Sequence, residues 1–331
     1  MSNTEPVPSV ITCAETGTAA RASVLSPRAV PLGGPRAMTV RRTLPQRSRS
    51  LIGAWCFVDH FGPDDVAATG GMHVPPHPHT ALQTVTWLFS GEVEHRDTVG
   101  THSFVRPGEV NLMTAGRGIA HSEDSTPATT VLHGAQLWVA LPDATRGTAP
   151  AFEHHAPPEL VGDGARTRVF VGSLMGHSSP VRTYSPLVGA EITLDPGASL
   201  TVGAREDFEY GVLVDTGDVT ADGTPGTAGE LLYLPPGAAE LVLRAGASGP
   251  ARVLLLGGEP LGEEIVMWWN FIGRDHDEVV ALRERWQHEA RASLEGPTPG
   301  ARFGDFPAVW SEALPAPDLP NARLRPRGRR P

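Results

Sequence analysis

Two histidines separated by one proline stand in the run VPPHPHTALQTV, and a histidine and a glutamate separated by one serine stand further along, in GRGIAHSED. Imidazole nitrogens and carboxylate oxygens are metal ligands, and residues two apart on a strand share a face. His77 and His79 therefore offer two imidazoles on one side of one strand, and His121 and Glu123 offer an imidazole and a carboxylate on one side of another. Two such strands brought together gather three imidazoles and one carboxylate. With a divalent metal the set carries about one net positive charge, and an octahedral ion keeps two positions for substrate or dioxygen. An all-N/O set favours iron, manganese, nickel, copper or zinc over calcium or magnesium and disfavours a thiolate site. One divalent transition metal per chain is the expectation.

Such ligands need strands and tight turns to carry them. Gly and Pro are abundant, at 37 and 32 of 331 residues. Short apolar runs alternate with turns in TALQTVTWLFSGEVEHRDTVG, in HSFVRPGEVNLMTAGRGIAHSE and in AQLWVALP. That density of short strands predicts antiparallel barrels or sandwiches. Pro78 lacks an N–H and suits an edge or a strand start. Carrying the alternation on from His77 and His79 puts Ala81, Gln83, Val85, Trp87 and Phe89 on the same face, the expected barrel lining. The glycines of TAGRGIAH let the backbone bend so that His121 faces inward. A helix is expected over DEVVALRERWQHEA, where Val279, Leu282, Trp286 and Ala290 fall near helical spacing. Trp268 and Trp269 read as a packed helix start or a clasp between domains.

The run from PHPHTALQTVTWLFSGEVEHRDTVG through RPGEVNLMTAGRGIAHSE resembles the pirin family of the cupin superfamily, and VRRTLPQRSRSLIGAWCFVDHFGP resembles that family's N-terminal segment. The resemblance is specific over roughly residues 35–142; the second half is similar in style rather than motif. It implies an all-β fold of two cupin (double-stranded β-helix) barrels with a C-terminal α-helix. The expected divisions are a loose N-terminus (1–25), a metal-binding barrel (26–142), a connector (143–180), a second barrel without metal (181–260), the helix (261–295) and a loose Pro/Arg-rich tail (296–331). The family's mononuclear iron implies Fe(II) on His77, His79, His121 and Glu123. Many cupins carry a ligand glutamate four residues after the paired histidines; here that position is Gln83, which supports Glu123 as the carboxylate and leaves Gln83 beside the metal. His60 and His95 read either as solvated or core histidines or as groups that orient ligands, and Arg117 is either structural or set to meet an anion at the barrel mouth. The resemblance implies quercetin 2,3-dioxygenase activity, opening a flavonol ring and releasing carbon monoxide, with Glu123 as the proton acceptor. It equally implies a metal- or redox-dependent regulator of a transcription factor or metabolic enzyme.

The net charge of −10 argues against direct nucleic-acid binding. Arginine clusters in Ser26–Ser50 and Asn321–Pro331 run the other way, and the first reads as solvated strand ends or a contact region for an acidic partner. The second barrel has no paired-histidine motif, and its Glu206, Asp207 and Glu209 read as a solvated acidic turn. With two cysteines, no CxxC, no leader pattern and no apolar run of membrane-spanning length, a cytoplasmic location without membrane contact is expected.

Overall fold

A computed structural model of the chain describes residues 22–32 and 38–326. Residues 1–21 of the expected loose stretch (1–25), and the arginines after residue 326, lie outside the described residues; the end of that stretch is not loose, because Ser23–Leu25 is a paired strand. Two antiparallel barrels make up most of the rest. The first closes a seven-stranded sheet, whose centre is Leu82–Ser90, Val131–Ala140 and Trp55–Asp65, over a four-stranded sheet ordered His73–His79, Ile119–Ser125, Val93–Asp97, His102–Val105. The second closes an eight-stranded sheet over a four-stranded one. His73–His79 is an edge strand, the place a proline-containing strand takes because it has fewer N–H groups to offer a ladder.

The barrels meet along a shared apolar core. Trp55, Val85, Trp87 and Leu137 from the first pack with Phe170, Leu213, Leu254 and Leu256 from the second. Each fully buried side chain of this kind contributes roughly 1.5–3 kcal/mol. Trp87 stacks on Phe170 at 4.6 Å, and its Nε1 donates to Glu191 Oε2 at 2.7 Å. Each half also lends a segment to the other. Ser23–Leu25 pairs with Leu231–Tyr233 of the second barrel. The C-terminal part returns to the first barrel, where Ala120 joins Trp268, Phe271, Trp286 and Phe303 in one cluster.

The helix spans His276–Glu295, N-capped by Asp275, whose side chain accepts from Glu278 N. Its buried face includes Val279, Leu282, Trp286 and Ala290, as the spacing predicts. The residues before it are not helical: Val266–Trp268 and Phe271–Gly273 form a hairpin with Trp269 at φ 51° in its turn, because this run is continuously apolar rather than helically periodic. The connector also differs from expectation. Ala165–Leu174 is a ten-residue strand of the second barrel's main sheet, so that barrel begins before residue 181.

The tail is not loose up to residue 326. Phe303, Ala316 and Leu324 are buried against the helix, and Ala316 N donates to Gln287 Oε1 at 2.9 Å. It runs behind the ligand strands. Trp310 Nε1 donates to Ser122 Oγ at 3.1 Å, Leu314 N to Pro76 O at 2.8 Å and Thr98 Oγ1 to Phe303 O at 2.5 Å. Three arginines of the arginine-rich segment are turned inward as well, while Arg47 is exposed. Arg42 forms a buried bidentate pair with Asp59 at 2.6 and 2.8 Å, Arg41 donates to His60, and Arg49 covers the Tyr233 ring at 3.2 Å. Among the described residues no helix is long and apolar enough to cross a membrane.

Candidate metal centre

His77 and His79 project into the first barrel from one face of the edge strand, and His121 projects from the strand beside it, directly opposite His77 in register. Two glycines shape the approach to His121. A Cβ on Gly116 (φ 52°) would meet Thr148 O at 2.1 Å, and one on Gly118 (φ 153°) would meet Arg302 O at 2.9 Å. Only glycine fits either place. The ring centroids of His77 and His121 lie 4.3 Å apart, and that of His79 lies 5.0 Å from each. All three side chains are fully buried.

Hydrogen bonds fix the tautomer of every ring. His77 Nδ1 donates to Pro75 O at 2.9 Å, and His79 Nδ1 donates to Asn270 O at 3.2 Å. A carbonyl accepts only, so each Nδ1 carries the proton and each Nε2 keeps its lone pair. His121 is set through a relay. Asp97 accepts from His95 Nε2 at 3.0 Å, which leaves His95 Nδ1 as an acceptor for His121 Nδ1–H at 3.3 Å. His121 Nε2 is then the third lone pair. The three Nε2 atoms are buried and have no hydrogen-bond partner. Burial, the largest cause, pushes all three pKa values well below the ordinary histidine range, and neighbouring imidazoles add to this at each ring. The rings are thus neutral at pH 7, the state a metal requires. Orphaned polar atoms in a core cost about 1–3 kcal/mol each, and a cation bound among these lone pairs removes that cost. The residues present therefore fit a divalent metal.

The expected fourth ligand sits on one side of this trio. The ligand atoms of His77, His79 and His121 lie within 4.8 Å of one another, and those of His95, His121 and Glu123 do likewise, with His121 common to both. Glu123 is 1% exposed and reaches this position after a bulge following His121. Thr86 Oγ1 lies 3.1 Å from Glu123 Oε1 and 2.9 Å from Gln136 Oε1. A hydroxyl has one proton. Both neighbours are satisfied when Gln136 turns its amide nitrogen toward Thr86 and the hydroxyl donates to Glu123. Aromatic walls complete the site: Trp138 meets His79 edge-on at 5.0 Å and stacks on Phe57 at 4.0 Å, and Phe152 stacks on His95 at 4.6 Å.

Three expected neighbours lie elsewhere. Gln83 is not beside the histidines. The chain turns at Thr80–Ala81, with Ala81 at φ 55°, and the alternation restarts in the opposite sheet. Thr86 consequently faces Glu123, while Val85 and Trp87 face the second barrel. Gln83 Nε2 instead donates to Thr114 Oγ1 at 2.9 Å and Arg182 O at 2.8 Å. Arg117 is exposed, held by its backbone to Thr148 O. His60 belongs to a second cluster between the barrels, where His60 Nε2 and His133 Nε2 lie 2.7 and 2.6 Å from Asp215 Oδ1. This group has the residue types of a metal site without its protonation. Arg41 Nε donates to His60 Nδ1 at 3.3 Å, which puts the His60 proton on Nε2, toward Asp215. His60 therefore has no free nitrogen to offer a metal, and Arg252, 2.6 Å from Asp215 Oδ2, adds further positive charge. Sequence reasoning missed Asp97 and Asp215. Asp97 carried a signal, since His95 and Asp97 are again two apart; Asp215 carried none.

Residues 37–139 match the family model described as Pirin, and residues 189–291 match the pirin C-terminal cupin domain. The chain is 44% identical over 294 residues to a Pseudomonas aeruginosa protein that bears a provisional quercetin 2,3-dioxygenase name, covering 88% of this chain and 89% of that one. It is 36% identical over 259 residues to a pirin-like protein of Caulobacter vibrioides, covering 75% and 88%. A crystal structure of quercetin 2,3-dioxygenase from Acinetobacter baumannii superposes with a TM-score of 0.83 at 37% identity, over 92% of this chain and 98% of that one.

Proposed function

The chain belongs to the pirin family, and from that premise we propose that it is a dioxygenase of the quercetin 2,3-dioxygenase type, using one Fe(II) held by His77, His79, His121 and Glu123. The observation that carries this reading is the convergence of three partnerless, tautomer-fixed Nε2 lone pairs in a buried site walled by aromatic rings. The name of the Pseudomonas relative and that of the Acinetobacter structure support a flavonol as substrate. When bound, the metal supplies Lewis acidity toward the flavonol hydroxyl and an electron partner for dioxygen.

The chain's own residues do the rest. A Glu123 carboxylate oxygen accepts the flavonol 3-hydroxyl proton, and Thr86, donating to Oε1, holds that carboxylate in place. Phe57, Trp138 and Phe152 offer flat apolar surfaces that orient a planar substrate and keep water away from the ionised ring. Of the contact region expected under the regulatory alternative, Arg41, Arg42 and Arg49 are engaged inside the fold and Arg47 stays exposed.

The test is anaerobic loading with Fe(II), then oxygen uptake and carbon monoxide release with quercetin and related flavonols. Loaded wild-type protein consumes oxygen, and Glu123→Gln, which keeps the shape and removes the base, lowers kcat by about 10²-fold or more. Loaded protein that neither takes up oxygen nor shifts the absorbance of any flavonol sinks the proposal.

A further inference from the structure

A cavity of about 720 Å³ opens where the connector, the C-terminal helix and the tail meet the first barrel. That is within the range of small-molecule sites, roughly 300–1,000 Å³. Arg146, Arg182 and Arg302 line it together with Tyr184, Leu282 and Thr148. Arg146 is neutralised by ion pairs to Asp143 and Glu278. The other two are not. Among the described residues the guanidinium of Arg302 makes no hydrogen bond or ion pair, and that of Arg182 makes only a cation–π contact, 4.9 Å from the Tyr184 ring centre.

Solitary exposed arginines are ordinary on a surface. Two without a carboxylate partner, lining one cavity of a chain whose net charge is −10, are not. Loss of solvent lowers the Arg302 pKa; the pull of Glu278, the next largest influence, and that of Glu289 offset it only in part, with Arg285 and Arg146 repelling. The charged lining amounts to three guanidiniums against two carboxylates, Asp143 and Glu278, which leaves room for one negative charge. Leu282, Ile272 and the Tyr184 ring give an apolar side, and Thr148 offers a hydroxyl.

We propose that this cleft binds an aromatic monocarboxylate, its carboxylate in the forks of Arg302 and Arg182 and its ring against Tyr184 and Leu282. The site needs no metal and stands independently of the dioxygenase reading.

Benzoate is the probe, titrated calorimetrically into the full-length protein, with benzamide and inorganic phosphate as comparisons. Benzoate binds saturably, one per chain, with a Kd on the order of 1 mM or tighter, and neutral benzamide does not. Arg302→Gln weakens it about tenfold or more, Arg302→Lys less, and Arg244→Gln on the second barrel leaves it unchanged. His121→Ala leaves it unchanged too. No saturation by benzoate, equal binding in Arg302→Gln, or loss in His121→Ala, which would place the probe at the metal centre, each overturns the proposal. Phosphate binding tighter than benzoate overturns the aromatic class.

Discussion

Replacing Asp97 by Asn changes one atom and no shape, yet it is expected to disable a metal ligand two rings away. Asp97 Oδ1 accepts from Val99 N at 3.0 Å and Thr101 N at 2.9 Å, and Oδ2 accepts from His95 Nε2 at 3.0 Å. An asparagine must keep its oxygen on the two backbone N–H groups, because turning round loses two hydrogen bonds of about 1 kcal/mol each and leaves both donors facing an NH₂. Its nitrogen then points at His95 Nε2, which becomes an acceptor. His95 carries its proton on Nδ1 instead, His121 Nδ1 becomes the acceptor, and His121 Nε2 acquires the proton. The third lone pair of the trio is gone. Outer partners of this kind are worth about 10–100-fold in metal affinity, which converts to about 1.4–2.7 kcal/mol. Chelator competition on wild-type and Asp97→Asn protein, with circular dichroism as a control for folding, measures it. A folded variant whose affinity stays within about twofold of wild type refutes the relay.

Gln83→Ala removes bonds to Thr114 and Arg182 rather than a neighbour of the metal, so it should cost about 1–2 kcal/mol in thermal or denaturant unfolding while metal content stays complete. Metal loss in that variant would restore Gln83 to the site. Between the barrels, burial lowers the His60 pKa from 6.5. The folded ring stays neutral while the unfolded one protonates, so unfolding takes up protons and His60's contribution, complete above pH 6.5, shrinks as the pH falls toward the folded value. Asp215, pushed below its ordinary 3.8 despite burial by the hydrogen bonds from His133 and His60, keeps its contribution until the pH drops below that value. The Tm gap between wild type and His60→Gln should therefore narrow from pH 7 to pH 5, and a gap independent of pH would show that His60 is not held neutral.

The ligand pairs were legible because strand alternation is local: His77 with His79, and His121 with Glu123, each needs only its own strand to be extended. Carrying that alternation past Thr80 failed because one residue, Ala81 at φ 55°, resets which side faces inward. Local pattern without motif was harder to use. RTRVFVGSL alternates as a strand should, but the connector around it hid that, and Ala165–Leu174 proved to be part of the second barrel. The tail's proline and arginine content masks the apolar residues that dock it, Phe303, Trp310 and Leu314. The His60–Asp215 contact joins residues 155 apart and depends on how two barrels face each other, which no local spacing encodes.

The barrels' exchange of segments also sets an order of events during synthesis. His79 receives its tautomer-fixing carbonyl from Asn270, 191 residues later, and Ser122 receives the Trp310 indole 188 residues later. At about 5–20 residues per second, a ribosome delivers those partners roughly 10 to 40 s after the ligands themselves. Until then His79, unlike His77 and His121 whose partners lie within the first barrel, has no carbonyl to hold its proton on Nδ1. A metal held by this trio would thus find its third fixed lone pair only once residue 270 has been made and docked.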